Sequence, residues 1–133
     1  MSLDQEPMKV STSLRIASEY YDQKTLDHAL RVARYTAEND IIPFEYRGEC
    51  VALAIMYDLL EDTEYDGKYL PEYFKNALDI LTKQDNVTYE GYCKSIKGSI
   101  TDNYGRCAYW VKLADMKDHL SLKRFEILIV ENI

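Results

Sequence analysis

No stretch of this 133-residue chain approaches the ~20 uninterrupted apolar residues of a membrane-spanning helix, so no membrane association is expected. The opening residues, M-S-L-D-Q-E-P, lack the basic and apolar regions of a signal peptide, and a cytoplasmic protein is the expectation. Cysteine is scarce and odd in number: Cys50, Cys93 and Cys107 form no spacing pattern, which argues against a disulfide framework and for reduced, packed thiols. Positive charge is also short, with 16 Lys and Arg against 23 Asp and Glu and a net charge of −7. That balance excludes the basic surface on which nucleic-acid binding draws. Strict apolar–polar alternation over strand length is nearly absent, and no internal repeat, low-complexity tract or linker divides the chain.

What is present is helical spacing. Apolar residues make up 47% of the sequence, enough for a single domain over 1–133 with its own core and no wholesale disorder. Residues 1–8 are expected to be disordered, and 124–133 to form an apolar C-terminal tail that packs on the body or on a second copy in a homodimer. Val10, Leu14, Ala17 and Tyr21 mark a first helix, and Leu26, Leu30, Ala33 and Ala37 a second that runs to about Glu38. Pro43 stands near the start of a third, ending around Leu60, and Pro71 opens a fourth with Tyr73, Phe74, Ala77, Leu78 and Leu81 inward. Thr88 reads as the N-cap of a short fifth helix. A sixth runs from about Tyr104 to Lys123, with Cys107, Ala108, Val111 and Ala114 inward. The expected fold is all-α, a bundle of about six helices. Twelve tyrosines are many for this length; most are expected at the core boundary, with one or two able to stack on a base or sugar.

Chemistry concentrates at Asp58-Leu59-Leu60-Glu61-Asp62. The preceding run, Cys50 to Tyr57, is uncharged, and a helix apolar on every side is buried. Asp58 is therefore expected at the lip of the core, where a carboxylate needs a partner or a metal. Glu61 and Asp62 share its helical face, near a helix C-terminus whose dipole disfavours negative charge. Glu61 and Asp62 also read as the start of a solvated loop, since T-E-Y-D-G follows; that account does not reach Asp58.

Four fragments in order resemble the HD-domain phosphohydrolases: D-H-A-L-R-V-A at 27–33, A-L-A-I-M-Y-D-L-L-E-D-T at 52–63, A-L-D-I-L-T-K at 77–83 with T-Y-E-G-Y at 88–92, and V-K-L-A-D-M-K-D-H-L at 111–120. They are most similar to the small stand-alone relatives of the hydrolase domain of RelA/SpoT-type alarmone enzymes. The resemblance covers roughly residues 12 to 122 and implies the HD helical bundle. It implies a metal-dependent phosphohydrolase acting on a nucleotide such as ppGpp, with manganese the usual ion. Carried over by position, the metal ligands are His28, Asp58 and Asp115, and Tyr57 stands where the family has the histidine of its H-D doublet. Glu61 and Asp62 match the acidic pair that handles the attacking water. Lys24, Thr82, Lys83 and His119 fall at substrate-facing positions, His119 where the family has asparagine. The segment before His28 is shorter than the family's and retains only Lys24 as a cation.

Each residue also has a structural reading. Tyr57 fills space, its hydroxyl bonded to Asp58 or His28; a neutral phenol with a pKa of ~10 is a poor ligand, which points to a weak or absent metal. His119 lies four residues beyond Asp115 on the same face, and either supplies a replacement nitrogen or simply sits at a helix end favourable to positive charge. Alternatives to the hydrolase are a catalytically degenerate nucleotide-binding relative and a helical interaction module with structural carboxylates.

Overall fold

In the computed structural model the structure describes residues 8–119, and these are all-α. The helices are α1 (Val10–Tyr20), α2 (Gln23–Ala37), α3 (Phe44–Met56), the single turn α4 (Leu59–Asp62), α5 (Glu72–Leu81), α6 (Tyr89–Gly98) and α7 (Asn103–His119). The bundle is organised on α3, which packs against α1, α2, α5 and α7, while α2 and α5 also pack against α7. Residues 52–57 are all buried, as an uncharged helix surrounded by four others requires. The expected disorder of residues 1–7 and the expected packing of the tail at 124–133 lie outside the described residues. Met8, counted with the expected disordered segment, is instead buried, and its backbone N–H donates to the Tyr73 hydroxyl at 2.9 Å.

Local signals set most helix starts. Asp22 accepts from the Thr25 N–H at 2.8 Å and Thr88 from the Gly91 N–H at 3.0 Å, each satisfying a donor that the first helical turn leaves open. Pro43 and Pro71 occupy the N-cap positions of α3 and α5. The expected continuation of α3 to Leu60 does not occur. Asp58, at φ −95° and ψ −1°, separates α3 from α4, and its N–H donates to the Tyr21 hydroxyl at 3.0 Å. A side chain from outside the helix has taken the donor that the helical ladder would have used, and the axis turns there.

Two of the apolar stripes also differ from expectation. Ala17, Tyr21 and Ala33 are buried as expected, but Leu14, Leu30 and Ala37 are exposed, and Ser13 of α1 and Ala29, Val32 and Thr36 of α2 are buried in their stead. Small residues let the helix axes approach α3 closely, and the larger leucines are left at the rim. A separate close contact lies at Gly105 in α7, which packs on the turn after α6 so that an added Cβ would stand 1.5 Å from the Ser99 carbonyl oxygen.

Gly105→Ala should accordingly destabilise the fold by about 3 kcal/mol or more, because backbone must move to admit a methyl group. Gly48, inside α3, has nothing within 4 Å of an added Cβ. Gly48→Ala should stabilise by about 0.5–1 kcal/mol through helix propensity. Urea unfolding of the two variants checks the pair, and similar midpoints would show that the close approach is wrong.

Candidate functional site

Four of the sequence-selected residues, His28, Tyr57, Asp115 and His119, meet where α2, the end of α3 and the last turns of α7 converge. Helix α7 carries Lys112, Asp115, Asp118 and His119 within two turns, so all four are within reach of one face of the helix. Asp115 is the centre. Its Oδ1 lies 2.9 Å from His28 Nε2, 2.6 Å from the Tyr57 hydroxyl and 3.3 Å from His119 Nε2, and its Oδ2 accepts from Lys112 Nζ at 2.8 Å. The second imidazole nitrogen of His28, Nδ1, lies 2.6 Å from Asp118 Oδ2, and Arg31 Nε donates to the other oxygen of Asp118 at 2.9 Å. Tyr57 completes the network, with its hydroxyl 2.5 Å from His28 Nε2.

The Tyr57 hydroxyl donates to Asp115, His28 Nε2 faces the oxygens of both, and its Nδ1 faces Asp118. His28 is thus held between two carboxylates, which favour its protonated form. Its pKa is raised accordingly, first by the bond to Asp115, with burial opposing and Asp118 adding to the rise. Burial alone would raise Asp115, but bonding to His28 and the charge of Lys112 outweigh it and hold this carboxyl far below the usual range. Lys112 is buried yet stays charged: desolvation acts against it, and Asp115 and the tyrosine oxygens of Tyr92 and Tyr89 overcome that cost. Burial, then the charges of Asp115 and Asp58, push the Tyr57 phenol well above its ordinary value, so it remains a neutral hydroxyl.

Asp58 is the exception among the carboxylates. Half-buried at the break after α3, it is raised from 3.8 to about 7 by burial and then by the charges of Asp62 and Asp115. A cleft of roughly 700 Å³ is lined by Asp58 and Asp62 together with Lys24, Thr25, His28, Arg31, Asp118 and His119. Five other sequence-selected residues stand apart from it, the buried Tyr57 of the network among them. Asp115 is buried behind His28, and Glu61 is exposed, with its carboxyl raised by burial and by Asp62 while Lys112 and Lys83 offset the rise. Thr82 donates its hydroxyl to the Leu78 carbonyl at 2.8 Å, and Lys83 Nζ donates to the Gln84 carbonyl at 3.2 Å. Thr82 is bonded back into the last turn of α5 and Lys83 to the backbone just after it, and neither lines the cleft.

Among the described residues, His28, Asp115 and His119 form a group able to hold a metal ion, with ligand atoms within 4.8 Å of one another; Asp58 is not in it. Two imidazoles and a carboxylate are the right chemistry for a divalent transition ion. Ligands about 2.1 Å from one ion stand roughly 3.0–3.5 Å apart, and the separations of 2.9 Å and 3.3 Å from Asp115 to the two histidines are of that size. The donors fit. An ion would have to displace the proton on His28 Nε2 and loosen the Tyr57 bond, so its affinity is reduced by a competing network already in place.

Sequence reasoning selected Asp115, His28 and His119 but gave no role to Asp118, Arg31 or Tyr21. The spacing of Asp118 three residues after Asp115 was the available signal for the first, while Arg31 and Tyr21 come from other helices and carry none. No protein-family model matches the chain. Protein lin-25 of Caenorhabditis elegans is 24% identical over 119 residues, 89% of this chain, and the chain spans about 10% of that relative's length.

The Asp58 carboxyl holds its proton up to about pH 7 in the folded protein, against 3.8 in its ordinary state. Between those values the native state binds more protons than the unfolded chain, so this group's effect is to lower stability as pH rises through the window. Asp58→Asn should remove the penalty, stabilising by about 2–4 kcal/mol at pH 8 and by much less at pH 5. Thermal melts of both proteins at the two pH values, with chelator present, check it; an equal gain at both would assign the effect to packing. The comparison with wild type removes the parallel alkaline loss from His28, which both share.

Proposed function

We propose that this protein is a divalent-cation-dependent phosphohydrolase of the HD type acting on a nucleotide, with a guanosine alarmone such as ppGpp as the candidate substrate. The observation that carries this reading is the meeting of His28 from α2 with Asp115 and His119 from α7 beside a cleft that also exposes Asp58 and Asp62. It is supported by the ordered resemblance of the four sequence fragments, three of which come from the elements that frame this cleft while the third lies on α5 and α6. His28, Asp115 and His119 would hold the ion. When bound, a divalent ion such as manganese polarises phosphoryl oxygens and lowers the pKa of a bound water.

The remaining chemistry belongs to side chains of the cleft. A carboxylate oxygen of Asp58 titrates near neutrality, the property wanted of a group that takes a proton from an attacking water. Asp62 faces the same cleft and keeps Asp58 raised, so it acts on the same proton. Lys24 is the cation in this cleft suited to meeting substrate phosphate, because Arg31 is already bonded to Asp118. The nucleotide base has no assigned contact.

A second reading, nucleotide binding without cleavage, is favoured by one observation. The Tyr57 hydroxyl bridges His28 and Asp115 at 2.5 Å and 2.6 Å, closing on itself the part of the site where a fourth ligand would be needed.

Calorimetric titration with Mn2+ should give weak binding in the wild type, roughly tenfold or more tighter binding in Tyr57→His, and a loss in His119→Ala. An unchanged affinity in both variants would remove the ion from this position.

With Mn2+ present, Asp62→Asn and Asp58→Asn should each lower pyrophosphate release from ppGpp by about 10²–10⁴-fold, the usual worth of a proton-transfer group. If the wild type is inactive but a nucleotide raises its Tm without being consumed, the binding reading stands and the hydrolase fails. If neither turnover nor stabilisation appears, both are wrong.

A further inference from the structure

Away from the cleft, in the core contact between α3 and α7, the thiols of Cys50 and Cys107 lie 2.8 Å apart, although 57 residues separate them in the chain. Cys50 is fully buried and Cys107 is 5% exposed. Ordinary nonbonded contacts between heavy atoms are about 3.5–4.0 Å, so these sulfurs are closer than two packed thiols need to be. Two thiolates on one zinc ion, each ~2.3 Å from the metal, would stand roughly 3.8 Å apart. Among the described residues no further His, Cys, Asp or Glu joins the two sulfurs in a ligand-spaced group. Metal capture is therefore a poor account of the pair, and the remaining chemistry open to two apposed thiols is oxidation.

We infer that Cys50 and Cys107 are a reversible dithiol–disulfide couple that staples α3 to α7. The oxidant is a two-electron acceptor small enough to reach the edge of Cys107, with hydrogen peroxide as the simplest of the class. The Cys107 sulfur attacks one peroxide oxygen and the O–O bond breaks. The thiol proton leaves with the second oxygen as water, and Cys107 is a sulfenic acid. The Cys50 sulfur then attacks the Cys107 sulfur, forming S–S as the S–O bond breaks, and the Cys50 proton leaves with the departing hydroxide as a second water. Each sulfur loses one electron and the two peroxide oxygens gain them, so two thiols and one peroxide give one disulfide and two waters. The fully buried Cys50 thiol, pushed up first by its hydrogen bond with Cys107 and then by burial, is a poor initiator, which leaves the first attack to Cys107, the less deeply buried of the two.

The position gives the couple a consequence. Tyr57 follows Cys50 by seven residues and Lys112 follows Cys107 by five, so the staple lies roughly 10 Å along the same helix pair that frames the Asp115 network. A covalent tie there fixes the spacing of α3 and α7 at one end while the network fixes it at the other. The disulfide would close a loop of 57 residues, long enough for a large reduction in unfolded-state freedom.

The test is peroxide treatment of the native full-length chain, followed by alkylation of remaining thiols and non-reducing peptide mapping. A linked peptide pair containing Cys50 and Cys107, reversed by dithiothreitol, is expected. The oxidised protein should melt roughly 5–15 °C higher than the reduced one. Cys93→Ala should keep both effects, and Cys50→Ala or Cys107→Ala should lose them. The mapping and melting of the wild type stand even if a variant fails to fold. Linkage through Cys93, over-oxidation of Cys107 without a crosslink, a crosslink formed only in denaturant, or an unchanged Tm would each overturn the inference.

Discussion

The Asp115 carboxylate is the constraint on which the rest of the structure depends. A buried charge is stable only if other charges and donors compensate its loss of water, and four groups do so here: Lys112 on one oxygen, and His28, Tyr57 and His119 around the other. Lys112 and His119 belong to α7 itself, one turn to either side, so part of the compensation forms with the helix. His28 and Tyr57 do not. They arrive only when α2 and the C-terminal end of α3 are docked on α7 in one register, and any slip would leave Asp115 with half its partners. The polar network thus does for specificity what the surrounding apolar core, being tolerant of small shifts, does not.

Tyr57 turns the same network into a competition. Its neutral hydroxyl meets His28 and Asp115 at once, in an arrangement of two carboxylates that favours the imidazolium form of His28. An imidazolium has no lone pair for a cation. The arrangement is therefore either a closed, protonated network or an opened, deprotonated cation site, and the two exchange a proton for an ion. A histidine in place of Tyr57 would add a ligand and remove the phenol that closes the network. The identity of this one residue sets how strongly the closed network competes with any ion at this position.

The break after α3 has a related logic. Helix α3 could have continued through Leu60, since nothing in its side chains forbids it. The Tyr21 hydroxyl instead takes the Asp58 N–H, and the turn that follows presents Asp58 and Asp62 to the cleft. The small faces of α1 and α2 are what bring Tyr21 and His28 close enough to act on α3. The thiol pair at Cys50 and Cys107 marks how tightly α3 and α7 are held at the opposite end of the same contact.

By itself the sequence determined the all-helical class, because apolar spacing near 3.6 and the scarcity of alternation depend only on local order. It determined the helix starts at Pro43, Pro71 and Thr88, where a side-chain oxygen or a fixed φ acts within a few residues, whereas the cap at Asp22 emerged only in the structure. It also indicated His28, Asp58 and Asp115 as chemically significant, through motif order and through charge in apolar surroundings. Tertiary structure decided which faces of α1 and α2 are buried, because close packing rewarded Ala17 and Ala29 over the more apolar Leu14 and Leu30. It decided that His119 rather than Asp58 shares the spacing of His28 and Asp115, and that Thr82 and Lys83 stand outside the cleft. It brought Asp118, Arg31 and Tyr21 into the network and set Cys50 against Cys107. These are contacts between helices far apart in the chain, and their geometry comes from how rigid helices pack, which no local pattern encodes.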